Sequence, residues 1–456
     1  MHSPRILLAA VCAAAPLGAQ WGPISTTGAP TERKGALMSY DLFANRMLMF
    51  GGNWTNEFWS LQNGTWTLLQ PGTVPSARVD SALATDTLNG TVLLYGGNDG
   101  NRLASDETWL WNGTSWTLLA PTLTPGGFAK HAMAFDITRQ RTVLFGGVHD
   151  LWAPQNLSAA TYEFDGTNWN AASPIQVPSA REYAAMAFHP GLAEIVMFGG
   201  NNGTNVSSDE TWTFDGTDWT LVTSVLPHPS ARSGAGLITV LNRANCVLFG
   251  GYDATTLQIS NETWTFDGAN WSQVTNVYGG IYPARRDFAI AHDLQRDRVV
   301  AFGGVIANNS LQNDTWEYGA QFQRFGSGCV GTAGTPSLTG LALPQLGTTC
   351  SAQLSNLAPA ASLALVAVGL SRTQWSLGSL PTLLTTFGMP GCRGYTSAEV
   401  FTVIGANGGS ATWSWNVPLL PAFLGQAFHL QGLSIDPAAN AAGLTVSNAA
   451  TIVVGI

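Results

Sequence analysis

The stretch Cys246-Val247-Leu248-Phe249-Gly250-Gly251, followed by Thr263-Trp264-Thr265-Phe266-Asp267-Gly268-Ala269-Asn270-Trp271, decides the fold. An apolar run closed by Gly-Gly reads as a strand running into a turn with positive φ, where the lack of a Cβ removes the strain. The Thr and aromatic residues that follow read as a second strand, Asp267-Gly268 as a tight hairpin turn, and Trp271 as the start of a third. The same grammar recurs along the chain. Gly-Gly pairs begin at Gly51, Gly96, Gly146, Gly199, Gly250 and Gly303, with spacings of 45, 50, 53, 51 and 53 residues. Strand aromatics follow at Trp109, Tyr162, Trp212, Trp264 and Trp316, and a further aromatic ends the unit at Trp66, Trp116, Trp169, Trp219 and Trp271.

Each unit therefore holds four short antiparallel strands, and a fixed period of this size marks a repeat architecture. The pattern resembles the kelch repeat, as in the central domain of galactose oxidase, and covers residues 20 to about 322. The resemblance implies an all-β chain whose main body is a six-bladed kelch-type β-propeller. The physical logic agrees, because a lone four-stranded sheet cannot bury both faces and must pack between neighbours. The crowded axis calls for small residues, which Ala82-Leu83-Ala84, Ala132-Met133-Ala134 and Ala185-Met186-Ala187 supply.

Spacing also predicts how the ring closes. Trp66, Trp116 and Trp169 lie twelve residues before the positions that open the next inner strands, Arg78, Phe128 and Arg181, and Trp21 lies twelve before Arg33. Residues 20–24 thus read as an orphan outer strand that completes the last blade. Phe322, after Gly319, also sits at an outer aromatic position and is the competing candidate.

Composition sets the outer limits. The chain has 456 residues, a net charge of −9, 10% charged residues and 51 Gly. The length allows two cores, and with no basic run a nucleic-acid partner is not expected. Arg5 followed by the apolar Ile6–Pro16 stretch reads as a secretory signal, with residues 1–19 cleaved after Ala19 and the protein released outside the cell or into a periplasm. No later stretch reads as a membrane span. The expected division is a signal at 1–19, the propeller at 20–325 and an all-β, sandwich-like module at 326–456. That module resembles the terminal modules of secreted bacterial repeat proteins, in its Gly-Cys openings, Asn416-Val417-Pro418 and Ser447-Asn448-Ala449. Strand-like runs fall at 362–369, 382–387, 399–404, 411–415, 426–433 and 451–454. Cys329 and Cys392, both in Gly-Cys turns, are the disulfide candidates, with Cys329–Cys350 as the alternative; Cys246 and Cys350 otherwise read as buried thiols.

Two recurring residues invite a functional reading. Arg opens the inner strand at Arg33, Arg78, Arg181, Arg232 and Arg285, and an acid precedes the third-strand aromatic at Glu57, Glu107, Glu210, Glu262 and Asp314. First and third strands of an antiparallel blade run the same way, so both sets fall on one face of the disc. The third repeat drops both together, with Phe128 and Ala160, which predicts structural Arg–acid pairs within each blade rather than an anion-binding ring.

Catalytic signals are sparse: no catalytic residue, metal site or cofactor is expected. His149 and His228 lie on loops of the Arg-bearing face, near Tyr183 and Tyr282 in position, without metal-ligand spacing. His131, His189 and His292 lie on or beside inner strands and read as structural. The best ligand-binding candidates are Trp54, Arg102, His149, Asp150 and Trp152, on the loops that follow the first three Gly-Gly pairs. The expected function is a secreted, monomeric binding scaffold holding a glycan or protein ligand. The alternative is a galactose oxidase-like or glycan-active enzyme on the same disc. Trp152 could equally just cap the central hole.

Overall fold

The computed structural model describes residues 20–456 apart from 154–155, 205, 224–226, 242–244, 275–282, 297, 320, 343, 346, 372–373, 377, 421–422, 424–425 and 455–456. Residues 1–19, which the sequence reading assigned to a signal, and Tyr282 lie outside the described residues. The chain divides into two compact units, one of Trp21–Val274 and Gly280–Tyr318, the other containing Gly319–Ile456.

The first unit is a six-bladed β-propeller, each blade a four-stranded sheet. Blade 1 runs Leu37–Asp41, Arg46–Phe50, Phe58–Gln62 and Thr65–Leu69. Blades 2 to 5 repeat this order, with inner strands at Ala82–Asp86, Ala132–Asp136, Ala185–His189 and Gly236–Val240. Blade 6 takes Ala289–Asp293, Arg298–Phe302 and Thr315–Gly319 from the end of the repeats, and its outer strand is Gln20–Ile24. Trp21 therefore closes the ring. The competing segment Gln321–Phe325 pairs instead with Leu444–Val453 of the second unit, so the division falls after Tyr318 rather than after Phe325.

Burial follows strand position. The second strand of each blade is covered on both faces, as in Asn245–Phe249 with four buried residues in a row; burying side chains such as Leu248 or Phe249 contributes about 2 kcal/mol each. The outer strand hides only its aromatic, as in Trp219–Val222. The Gly-Gly pair is the point where blades touch through backbone. Gly199 has φ +71°, and a Cβ there would sit 2.3 Å from the Arg232 carbonyl oxygen; that oxygen accepts the Gly200 N–H at 2.9 Å.

A second link joins blades at their rims. Trp169 Nε1 donates to Thr108 Oγ1 at 3.1 Å, and Trp219 Nε1 to Thr161 Oγ1 at 2.9 Å. Trp271 donates to Thr211 at 2.9 Å, Trp21 to Thr263 at 2.9 Å and Trp66 to Thr315 at 3.2 Å. Each outer tryptophan thus reaches the first residue of the third strand in the preceding blade. The junction of blades 1 and 2 differs. Phe58 occupies the Thr position, the Trp116 indole nitrogen has no partner among the described residues, and the two rings meet edge-on at 5.4 Å.

The second unit is one continuous antiparallel sheet of eight strands, which in spatial order are Gln321–Phe325, Leu444–Val453, Ala427–Ile435, Leu363–Gly369, Val400–Asn407, Ser410–Asn416, Thr349–Ser355 and Ser337–Ala342. The sheet curls on itself toward a barrel, rather than forming the expected sandwich, around a core that includes Leu338, Leu354, Val366, Trp413, Leu430 and Ile452. The run expected at 382–387 is instead a two-residue strand followed by a 3-10 turn, Thr385–Phe387. Cys329 and Cys392 form a disulfide within a small cluster with Met389 and Val446, and Cys350 is a buried free thiol.

An indole N–H bonded to a hydroxyl contributes about 1 kcal/mol net, whereas a buried one without a partner costs about 1–3 kcal/mol. Trp219→Phe should therefore cost about 2 kcal/mol more than Trp116→Phe in urea unfolding. Equal losses would show that the Trp–Thr bond adds no stability.

Candidate functional site

The five arginines at the inner-strand entrances are at most 2% exposed. Each guanidinium reaches forward within its own blade. Arg33 Nη2 lies 2.7 Å from Glu57, Arg181 Nη2 2.6 Å from Glu210 and Arg285 Nη1 2.9 Å from Asp314; Arg78–Glu107 and Arg232–Glu262 make the same pair. Nη1 of each arginine also donates to the carbonyl of the first glycine in its own Gly-Gly pair, as Arg181 does to Gly199 at 2.9 Å. Each carboxylate in turn accepts the indole N–H of the tryptophan two residues on: Trp59, Trp109, Trp212, Trp264 and Trp316. For Glu210, burial pushes the carboxyl up, but the hydrogen bonds from Arg181 and Trp212 and the guanidinium charge outweigh it and hold the group below the ordinary range. All the strong donors of these arginines are spent inside the blade, which leaves no ring of free guanidinium groups for an anion. Arg232→Ala should lower stability by about 2 kcal/mol in urea unfolding, since it removes a buried guanidinium from its bonds to the part-exposed Glu262 and to the Gly250 carbonyl. Binding lost with an unchanged urea midpoint would contradict the structural role.

Blade 3 is the exception. Phe128 fills the arginine position, fully buried, and His149 packs on its ring at a centroid distance of 3.8 Å. His149 Nδ1 sits 2.6 Å from the Gly127 carbonyl oxygen, so the ring serves packing and a local hydrogen bond. The adjacent loops of blades 2 and 3 are tied together by Ala104 N–H to His149 O at 2.9 Å and Leu151 N–H to Arg102 O at 2.9 Å. The Arg102 guanidinium clamps both Asp150 oxygens, with Nε at 3.2 and 3.1 Å and Nη2 at 2.6 Å. Asp150 in turn accepts the Trp152 backbone N–H at 3.0 Å. Arg102 also lies over the Trp152 ring, 5.5 Å from its centroid. Trp152 is 77% exposed and is not among the side chains that line the central channel. The result is a flat aromatic face beside a bidentate ion pair, on two loops joined by backbone hydrogen bonds. Trp54 is half-exposed with φ +61°, and among the described residues no ring or hydrogen-bond contact joins it to this platform.

The remaining sequence candidates are scattered. His228 Nδ1 faces the Pro229 carbonyl at 2.9 Å, and His189 takes the place of an aspartate in its turn, receiving the Leu192 N–H at 3.1 Å. Cys246 is fully buried, its Sγ 3.5 Å from the Phe188 carbonyl oxygen. Among the described residues no group of three His, Cys, Asp or Glu side chains is arranged to hold a metal ion. The sequence reading missed the threonine before each third-strand tryptophan. Its signal was present in Thr108, Thr161, Thr211, Thr263 and Thr315, but it blends into ordinary β propensity.

No known family profile matches the chain, and no curated protein matches it. Among solved structures 94 chains match. One is YCF48 bound to a D1 peptide, at 12% identity and TM-score 0.36, covering 66% of this chain and 97% of that one. Another is a beta-xylosidase, RS223, at 11% identity and TM-score 0.33, covering 56% and 98%. At these scores neither neighbour bears on what the chain does. No helix among the described residues is long and apolar enough to cross a membrane.

His131, next to the blade 3 irregularity, is buried, and neither ring nitrogen has a partner among the described residues. Burial pushes its pKa from 6.5 down to about 3. The unfolded chain binds the extra proton between those values, so this contribution is complete above pH 6.5 and is lost as pH falls toward 3. His131→Phe, which copies Phe288 of blade 6, should therefore lose less stability than the wild type between pH 7 and pH 4.5 in urea titrations. Parallel losses would show that His131 is not held neutral.

Proposed function

We propose that the chain is an exported, kelch-type propeller that acts as a binding scaffold, holding a glycan or protein ligand on the loops of its Arg-bearing face. The observation that carries this reading is Trp152, exposed beside the Arg102–Asp150 ion pair with the guanidinium over its ring. A large aromatic face left in water beside oriented polar groups suits stacking against a sugar ring or an apolar side chain. Preorganisation lowers the ordering cost of binding. Arg102 and Asp150 act in this proposal as positioning residues, and His149 as the packed base under the loop. Trp54 would widen the same face rather than share the platform.

Export is supported by the Cys329–Cys392 disulfide, since such bonds persist in oxidising compartments. The enzyme alternative gains no support from geometry. Cys246 is buried in a blade, and His149 and His228 are each engaged with backbone carbonyls in their own loops.

The test is a glycan and peptide array probed with the wild type and with Trp152→Ala. The expected outcome is a binder whose affinity falls at least about tenfold in the variant, in line with an interface hot spot, at unchanged melting temperature. Retention of all array binding by Trp152→Ala would overturn the assignment.

A further inference from the structure

We propose that the Arg-bearing face of the propeller docks a basic polypeptide, which seats apolar side chains on a crown of exposed loop residues and brings cations to unmatched carboxylates around it. The inference rests on the reading of this face as the binding face and commits that reading to one class of partner. The crown comes from the loops that join the second strand of a blade to its third. Trp54 stands on this loop in blade 1, Leu103 in blade 2, Trp152 in blade 3, Val206 in blade 4 and Leu257 in blade 5, each between 50% and 77% exposed. Single exposed apolar side chains are ordinary on a protein surface. The same loop exposing one in five consecutive blades makes a patterned surface, of the kind that marks interaction sites.

Two of the five are placed against local preference. The Thr55 N–H bonds back to Gly52 O at 3.1 Å, closing a turn whose central residues, Asn53 and Trp54, have φ +49° and +61°. A turn with two positive φ angles in succession ordinarily takes Asn-Gly. Here a tryptophan holds the glycine position. Leu257 ends the loop of the hairpin formed by Tyr252–Asp253 and Gln258–Ile259, with φ +59°. The fold alone favours Gly or Asn at both places, and strain of this sort gathers at ligand clamps. Neighbouring loops also join into one surface. Leu103 bridges Asp150, the Ala254 N–H of blade 5 donates to Ser207 Oγ of blade 4 at 3.0 Å, and Arg286 lies 5.1 Å over the Tyr252 ring.

Charge names the partner. Around the axis Gly35, Asp80, Lys130, Tyr183, Gly234 and Asp287 form a collar, one residue from each blade, with φ between 54° and 65° and backbone bonds such as Lys130 N–H to Asp80 O at 2.8 Å. The collar carboxylates are already answered, Asp80 by the Lys130 charge and Asp287 by those of Arg286 and Lys34. The five entrance arginines are spent on the acids of their own blades, Arg102 on Asp150, and Lys130 also on Glu182. Every Lys and Arg of these loops is thereby engaged. Glu32, Asp99, Asp106, Asp209 and Asp253 remain, each exposed or half-exposed and in no ion pair among the described residues. An anionic glycan or a phosphate-rich lipid surface meets this excess of negative charge unfavourably. A bare cation leaves the crown in water. A polypeptide carrying both apolar and basic side chains satisfies both features, and the opposite charge speeds its encounter with the face.

The experiment is selection of a random dodecapeptide library, displayed on phage, against the full chain, followed by calorimetry of the enriched peptides. The enriched set should carry net positive charge together with apolar residues, and its affinity should fall at least about tenfold between about 50 mM and about 500 mM salt. Trp54→Asn and Leu257→Asn, which suit positive φ, should each weaken binding about fivefold or more, with the melting temperature at or above that of the wild type. Asp106→Asn combined with Asp209→Asn should weaken it by a similar factor and flatten the salt dependence. An enriched set that is neutral or acidic, no enrichment at all, or affinity untouched by Trp54→Asn and Leu257→Asn together would overturn the proposal. A neutral glycan or apolar peptide held through Trp152 alone would also overturn it, while leaving the wider reading of the face in place. Basic peptides held by the other crown residues, with Trp152→Ala unaffected, would support docking and count against the Trp152 assignment.

Discussion

The hydrogen bond from an outer-strand indole to a threonine of the preceding blade is the constraint on which the molecule depends. A four-stranded blade has two apolar faces, and only a neighbour on each side can dry them. Apolar burial is nondirectional and would tolerate sliding between sheets. The indole bond fixes where one blade meets the next, at the rim, while the Gly-Gly contact fixes it near the axis. At the two junctions that join the chain ends to the ring, Trp21 to Thr263 and Trp66 to Thr315, the bond is present. Closure therefore uses the same chemistry as the interior junctions.

A single tripeptide coordinates these bonds. In Glu210-Thr211-Trp212 the acid holds the arginine of its own blade, the threonine holds the neighbour's outer tryptophan, and the tryptophan returns its N–H to the acid. The two departures have separate consequences. Blade 1 replaces the threonine with Phe58 and seals its junction with an aromatic edge contact. Blade 3 replaces the acid and the arginine but keeps Thr161, so its rim contact survives while its entrance is free to carry Phe128, His149 and the Trp152 loop. The irregular blade is thus the one that presents the aromatic platform.

Much of this was legible in the residues. The Gly-Gly period gave the blade count, and the twelve-residue offset from Trp21 to Arg33 gave the closing strand. The joint loss at Phe128 and Ala160 pointed to pairing within a blade, because an unpartnered buried charge is costly. Other features were hidden for physical reasons. The collar residues share a backbone conformation, not a side-chain type, so Gly35, Asp80, Lys130 and Tyr183 do not read as a set. In the second unit, Ser337–Ala342 was missed because Ser, Thr and Gly weaken the strand pattern. The final strand was drawn as 451–454 but spans Leu444–Val453, since Ser447 and Asn448 resemble a turn. There Asn448 Oδ1 instead accepts the Leu338 N–H at 2.8 Å from another strand.

Ring closure by Trp21 is the claim most open to direct measurement. Hydrogen exchange of the tryptophan indole N–H groups, followed by nuclear magnetic resonance on protein labelled with ¹⁵N-tryptophan, reads it residue by residue. The account predicts that the Trp21 indole proton exchanges as slowly as those of Trp169, Trp219 and Trp271, opening only with the whole propeller. A Trp21 indole that exchanges at the rate of a free peptide would show that the first strand is not part of the ring.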